Sequence, residues 1–110
     1  MTVIENTSAA IANDTLAPLN KELSDAIAAF TQIDLADTAA LIVGAKEIFL
    51  ATRSAVSECM ALHVKHELKP ESRQTLVNLR TSASAALKNA LHIEQVGSYA
   101  EDIEAQFERI

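Results

Sequence analysis

The chain has 110 residues, with nine Lys and Arg against 15 Asp and Glu, and a formal net charge of −6. This length fits one domain with a modest core and leaves no space for a second, catalytic domain. The negative charge argues against a general nucleic-acid binder, because neutralising phosphates requires a concentrated Lys and Arg surface. Apolar residues make up 49% of the chain but aromatic residues only 4%, so the core must consist of Leu, Ile, Val and Ala.

The N-terminal segment differs in pattern from the rest of the chain. Residues 1–14 are small and polar without a sustained period, which predicts a flexible arm. From Leu16 onward apolar residues recur at three- and four-residue steps, which predicts a first helix with Thr15 as its cap. We therefore expect a single helical domain over residues 15–110.

The second predicted helix is the longest. It begins near Asp34 or Asp37, whose side chains can accept hydrogen bonds from free amides of the first turn, and runs to about Leu68. Pro70 ends it, because the residue before a proline is disfavoured in helical geometry. At about 100° per residue one face forms a core stripe, which consists of Leu41, Ala45, Ile48, Thr52, Ala55, Val56, Cys59, His63 and His66.

A second apolar set lies well around the same helix. It consists of Ile42, Val43, Leu50, Met60, Val64 and Leu68. One neighbouring helix cannot cover both sets. We therefore predict that this second set is an interface, either with a second copy of the chain or with another protein.

A third helix is predicted from Pro70 to about Gln95, followed by a break at Gly97. Without a break, the apolar residues from Val96 onward would point away from the core stripe of this helix. Ser98 and Glu101 have the spacing of a capping box for a fourth helix. The predicted fold is an all-α bundle of three to four helices, in which the second and third form a long antiparallel hairpin, and the bundle is expected to be oligomeric.

No segment is predicted to cross a membrane. The longest apolar-rich run, residues 39–51, is interrupted by Lys46 and Glu47 and is shorter than the roughly 20 residues that a spanning helix needs. The N-terminus lacks the basic and apolar regions of a secretory signal. A single cysteine, Cys59, can form no internal disulfide, which agrees with a reducing compartment. We expect a cytoplasmic protein.

The segment Leu62–Pro70, LHVKHELKP, holds two of the three histidines. Histidines three residues apart on a helix can reach one metal ion, and Cys59 one turn earlier would add a thiolate. The alternative is that His63 and His66 are the polar end of the core stripe, and we favour this reading. No catalytic constellation, cofactor motif or Glu-x-x-His pair is present in the sequence, so we expect neither an enzyme nor a cofactor.

Two short resemblances concern the same region. The segment His66-Glu-Leu-Lys-Pro70 resembles the phosphoacceptor box of sensor histidine kinases, which lies inside a helix of a dimerisation domain. Here the proline comes one residue early and is predicted to end the helix. The Ala-rich composition and the stretch KPESRQTL from Lys69 are similar to phasins, which coat polyhydroxyalkanoate granules.

These observations lead to three functional hypotheses. The first is a non-enzymatic interaction module, a self-associating bundle that binds or regulates another protein, in the manner of a bacterial or phage adaptor, chaperone-like factor or inhibitor. The second is a phasin-like surface-coating protein. The third is a metal-binding bundle that uses Cys59, His63 and His66. We favour the first, because the second apolar set on the long helix requires a covering surface.

Overall fold

The structure is a computed structural model that describes residues 12–110. Most of the predicted arm, residues 1–11, lies outside the described residues. The described part consists of helices and connections without a strand, so the predicted all-α class is confirmed. We number the α-helices α1 (Ala17–Thr31), α2 (Thr38–Val64), α3 (Pro70–Leu87) and α4 (Glu94–Phe107), and a short 3-10 helix, Lys88–Ala90, lies between α3 and α4.

The longest helix, α2, is the central element of the bundle. It packs mainly against α1 and α4, whereas α3 packs mainly against α1. The predicted partners α2 and α3 do follow each other through the short connection 65–69, but each makes its largest contact with another helix. No helix of the described part is both long and apolar enough to span a bilayer.

The core stripe predicted on α2 is buried along most of its length. Seven of its nine predicted members are buried, from Leu41 to Cys59. The exceptions are His63 and His66, which are exposed, and Leu62 is buried at this end of the helix instead. The helix therefore keeps its apolar face against the bundle up to its last turn.

A close contact between α1 and α2 depends on Gly44. A Cβ atom at this position would lie 2.8 Å from Cδ1 of Ile33 and 2.9 Å from Cδ2 of Phe30. Carbon atoms do not approach that closely, so a residue with a Cβ here would force the side chains of Ile33 and Phe30 to move. The glycine thus allows both side chains to pack closely on α2.

The start of α1 differs from the prediction. Thr15 does not cap the helix, because its hydroxyl donates to the carboxylate of Glu58 on α2. The backbone carbonyl of Asn13 accepts a hydrogen bond from the amide of Ala17 at 2.9 Å, so the chain already turns at Asn13. At the start of α2, by contrast, the predicted cap is present, since Oδ1 of Asp37 accepts from the amide of Ala40 at 3.1 Å.

Asn13, which the sequence assigns to the arm, is a buried part of the bundle. Its Oδ1 accepts a hydrogen bond from the amide of Lys69 at 2.7 Å, and its Nδ2 donates to the carbonyl of Glu67 at 2.9 Å. Its own amide donates to Oγ of Ser72 at 2.6 Å. We call this set of three hydrogen bonds the Asn13 clamp. It ties the start of the domain to the connection between α2 and α3.

The second helix ends four residues earlier than predicted. His66 has a φ of 61°, in the left-handed region, and so lies outside the helix. The amide of Glu67 donates to the carbonyl of Leu62 at 2.9 Å, and the amide of His66 donates to that of His63 at 3.0 Å. This pair of bonds is the Schellman motif, which satisfies the free carbonyls of a helix end.

The break between the last two helices is confirmed, but its predicted position is wrong. The third helix ends at Leu87 rather than near Gln95, and Ile93 has the extended backbone that precedes α4. Gly97 lies in the first turn of α4, where its amide donates to the carbonyl of Ile93 at 2.9 Å. The predicted capping residues Ser98 and Glu101 are inside α4. The chain turns early because Ile93 and Val96 are both buried, which a straight helix to Gly97 would prevent.

We predict that Asn13→Ala lowers the free energy of unfolding by about 1–3 kcal/mol, because it leaves the amide of Lys69 and the carbonyl of Glu67 without their partner. Asn13→Asp should lose less, since a carboxylate still accepts from the amide of Lys69. Urea denaturation followed by circular dichroism measures both. Asp14→Ala, a change at the exposed neighbouring position, is the control, and an equal loss for this variant would contradict the role of the clamp.

Candidate interaction surface

The six residues of the predicted interface divide into two groups. Ile42, Met60 and Leu68 are partly buried and pack against the core of the described bundle. Val43 and Val64 are large apolar residues that remain 58% and 75% exposed, and Leu50 is partly buried. The structure therefore covers part of the predicted interface with the chain itself and leaves the rest on the outer side of α2.

Two exposed residues, Val43 and Val64, and the partly buried Leu50 fit a seven-residue spacing along α2. Val43, Leu50, Ser57 and Val64 recur at this interval, so they lie close to one line on the outer side of the helix. Ser54 and Ala61 lie beside this line at steps of four residues from Leu50 and Ser57. We call these six residues the outer stripe of α2. Its members are apolar or small, which suits close packing against another helix.

A cleft opens at the end of the bundle where α2 ends, and we call it the terminal cleft. It has a volume of about 190 Å³. Residues from α2, from the connection after it, from α3 and from the C-terminal segment line the cleft: Cys59, Met60, His63, Val64, Leu68, Arg73, Arg109 and Ile110. Three predicted interface residues, Met60, Val64 and Leu68, therefore meet at this site.

Apart from the thiol of Cys59, the titratable side chains that line the terminal cleft are basic. They are Arg73, Arg109 and His63, and no carboxylate side chain is among the lining residues. Within residues 12–110 neither arginine has a carboxylate in ion-pair distance, although Arg109 donates to the side chain of Gln106 at 3.0 Å. An apolar cleft with two guanidinium groups is an unusual feature in a chain with a net charge of −6.

Cys59 forms the inner wall of the terminal cleft and is only 1% exposed. Burial raises the pKa of its thiol, and the positive charge of Arg73 opposes this rise to a smaller extent. A buried thiol with a raised pKa is a poor nucleophile, because the thiolate is the reactive form. Cys59 is therefore a small core residue in this structure.

The structure does not place Cys59, His63 and His66 on one helix face. His66 follows the end of α2 in a left-handed conformation, so the three-residue spacing from His63 is no longer a helical spacing. In residues 12–110 no group of three or more His, Cys, Asp or Glu side chains is arranged to hold a metal ion. The resemblance to a phosphoacceptor box departs in the same way, because His66 is outside a helix.

A second cavity, of about 290 Å³, lies between α1 and α3. Asn20 lines it and is only 4% exposed. Its Nδ2 donates to the carbonyl of Ser72 at 3.1 Å, whereas its Oδ1 has no hydrogen-bond partner within residues 12–110. Ala12, the first described residue, also lines this cavity.

The sequence signals the terminal cleft only in part. The four-residue spacing of Met60, Val64 and Leu68 marks an apolar edge, but Arg73 looks like one member of a locally balanced charge cluster around Pro70. Arg109 lies 36 positions further along the chain. Only the antiparallel return of α4 brings it beside Arg73, and periodicity does not specify which helices become neighbours.

We predict that His66→Gly raises the free energy of unfolding by about 0.5–1 kcal/mol. Glycine removes the cost of a left-handed residue with a Cβ, and the greater freedom of the unfolded chain offsets part of this gain. Lys65→Gly, one position earlier in right-handed geometry, should lower stability by about 0.5–1 kcal/mol. Urea denaturation measures the free energy of unfolding of both variants. A loss of stability in His66→Gly would contradict the assigned helix end.

We predict that the thiol of Cys59 makes stability fall as the pH rises above the ordinary cysteine value. The folded state holds the proton to a higher pH than the unfolded state, so unfolding releases protons and becomes easier. The difference in the free energy of unfolding between wild type and Cys59→Ala should be largest at about pH 7 and smaller at about pH 9.5. Urea denaturation at both pH values tests this, and a constant difference would contradict it.

Comparisons with known proteins add no relative to this structural description. No protein-family model, no curated protein and no solved structure matches the chain. The features available for a functional proposal are therefore those of the chain itself. They are the outer stripe of α2 and the terminal cleft at its end.

Proposed function

We propose that this chain is a non-enzymatic protein–protein interaction module that forms a homodimer through α2 and binds or regulates another protein. The observation that carries the proposal is the exposure of Val43 and Val64 at the two ends of the outer stripe. Large apolar side chains on a regular line of one helix are typical of a surface that a partner covers. Isolated exposed apolar residues without such a line need no partner.

The dimensions of α2 suit a dimer interface. The helix has 27 residues, and at 1.5 Å per residue its length is about 40 Å. A stable interface buries about 800 Å² on each partner, and because a helix is only about 10–12 Å wide, the interface would also include residues of the helices beside α2. Ser54, Ser57 and Ala61 in the middle of the stripe are small, so a second helix can approach closely there.

A two-fold axis across the outer stripe would place the same patch of the two copies against each other, so that residue i of one copy contacts residue j of its partner and j contacts i. Lys46 precedes Val64 by 18 residues, which is five helical turns, so it falls on the line of the stripe, and Glu47 lies beside it. The centre of such an interface would hold small side chains, with the large apolar residues Val43 and Val64 at its two ends. Binding of another protein would then use the surfaces that the dimer leaves open. The buried, unpaired thiol of Cys59 agrees with action in the cytoplasm.

We expect light scattering on a sizing column, over a concentration series of untagged protein, to give a dimer that persists on dilution. Val43→Glu and Ser57→Glu should each raise the dissociation constant by more than about tenfold, because a symmetric interface would bury two unpaired carboxylates. Both positions are exposed in the chain, so the fold should be retained. Circular dichroism confirms that it is.

Leu91→Glu is the matched control. Leu91 is 49% exposed, close to the exposure of Val43, but it lies outside α2. This variant should remain as dimeric as the wild type. A chain that is monomeric at every concentration, or a dimer that Leu91→Glu dissociates and Val43→Glu does not, would contradict self-association through the outer stripe.

A further inference from the structure

We propose that the terminal cleft binds a short segment of a partner protein in which a large apolar side chain lies next to an acidic residue. The apolar side chain enters between Met60, Val64 and Leu68, and the carboxylate pairs with Arg73 and Arg109. This inference rests on the proposed function, because it specifies how the module recognises the protein that it binds. Its only residue in common with the outer stripe is Val64, at the end of that stripe.

The volume of the cleft suits one side chain and is smaller than the usual pocket for a cofactor or drug-sized molecule. Pockets for cofactors and drug-sized ligands have volumes of about 300–1,000 Å³. An apolar cavity of about 150 Å³ is large enough for a benzene molecule. The terminal cleft, at about 190 Å³, therefore has room for one Leu, Met or Phe side chain. The rest of the bound segment would lie across the mouth of the cleft.

The positive charges of Arg73 and Arg109 favour an acidic residue next to the bound apolar side chain. Arg73 and Arg109 each present a guanidinium group, which binds a carboxylate through two parallel hydrogen bonds. Neither group is neutralised by a carboxylate within ion-pair distance in residues 12–110. Both arginines of the cleft are therefore available to pair with a carboxylate of the partner protein.

The construction of the site is rigid enough for recognition. The Schellman motif fixes the end of α2, and the Asn13 clamp holds the connection that carries Leu68. Arg73 lies in the first turns of α3, whose start at Pro70 has a fixed backbone angle. Three of the four lining segments are thus held in place before a partner arrives. Such preorganisation lowers the entropy cost of binding.

The test is selection from a phage library of randomised short peptides against the immobilised full chain. Peptides that are enriched should pair Leu, Met or Phe with Asp or Glu within two positions. Synthetic copies are then measured by fluorescence anisotropy with wild type, Arg73→Gln, Arg109→Gln and Arg53→Gln. The two variants of the cleft should each weaken binding by about tenfold or more, as loss of a charge-assisted hydrogen bond does.

Arg53→Gln is the matched control, because it removes the same charge from an exposed arginine of α2 that lies over the ring of Phe49. Binding to this variant should equal binding to wild type. Replacing the acidic residue of an enriched peptide by its amide should also cost about tenfold.

Each other outcome overturns the inference. If no peptide is enriched, if the enriched peptides lack an acidic residue, or if Arg73→Gln and Arg109→Gln bind them as wild type does, the cleft does not recognise this chemistry. The proposed function is judged separately, by the dimer measurement with Val43→Glu. A stable dimer together with a failed selection refutes only the cleft. A monomer without any enriched peptide refutes both.

Discussion

The point at which α2 ends is the constraint on which the rest of this end of the molecule depends. The proline at position 70 alone would allow α2 to continue to about Leu68. Instead His66 adopts a left-handed backbone, and the amides of His66 and Glu67 satisfy the carbonyls of the final turn. The chain then reverses within residues 65–69. This reversal brings α3 back beside α1 and places Arg73 next to the exposed end of α2.

Much of the fold could be predicted because it depends on periodicity. The all-α class, the buried stripe of α2 up to Cys59 and the cap at Asp37 follow from local rules that the tertiary structure preserves. The errors occur where a residue without a strong conformational signal changes the path of the chain. His66 is not a glycine, and histidine as a residue type does not indicate a left-handed backbone conformation. Likewise the position of the turn before α4 depends on the burial of both Ile93 and Val96. Gly97, at which the sequence predicts the break, lies inside α4.

The candidate surfaces were predictable to different degrees for a physical reason. The outer stripe of α2 lies within one helix, and three of its members, Val43, Leu50 and Val64, belong to the apolar set that sequence spacing predicts. Val43 and Val64 are large apolar residues that remain exposed. The terminal cleft combines α2, α3 and the C-terminal residues, so its existence depends on helix order. The sequence gives Met60, Val64 and Leu68 a common spacing but cannot pair them with Arg109. Sequence periodicity can identify a surface formed by one helix, but it cannot identify a cleft formed by several segments of the chain.

The Asn13 clamp also has a consequence for folding kinetics. Its hydrogen bonds join residues separated by 54, 56 and 59 positions along the chain. Contacts of this range can form only after the helices between them have docked, because closing such a long loop costs entropy before any bond is gained. The clamp should therefore be absent from the folding transition state. Interactions of that kind slow unfolding and leave the folding rate nearly unchanged, so Asn13 extends the lifetime of the folded bundle.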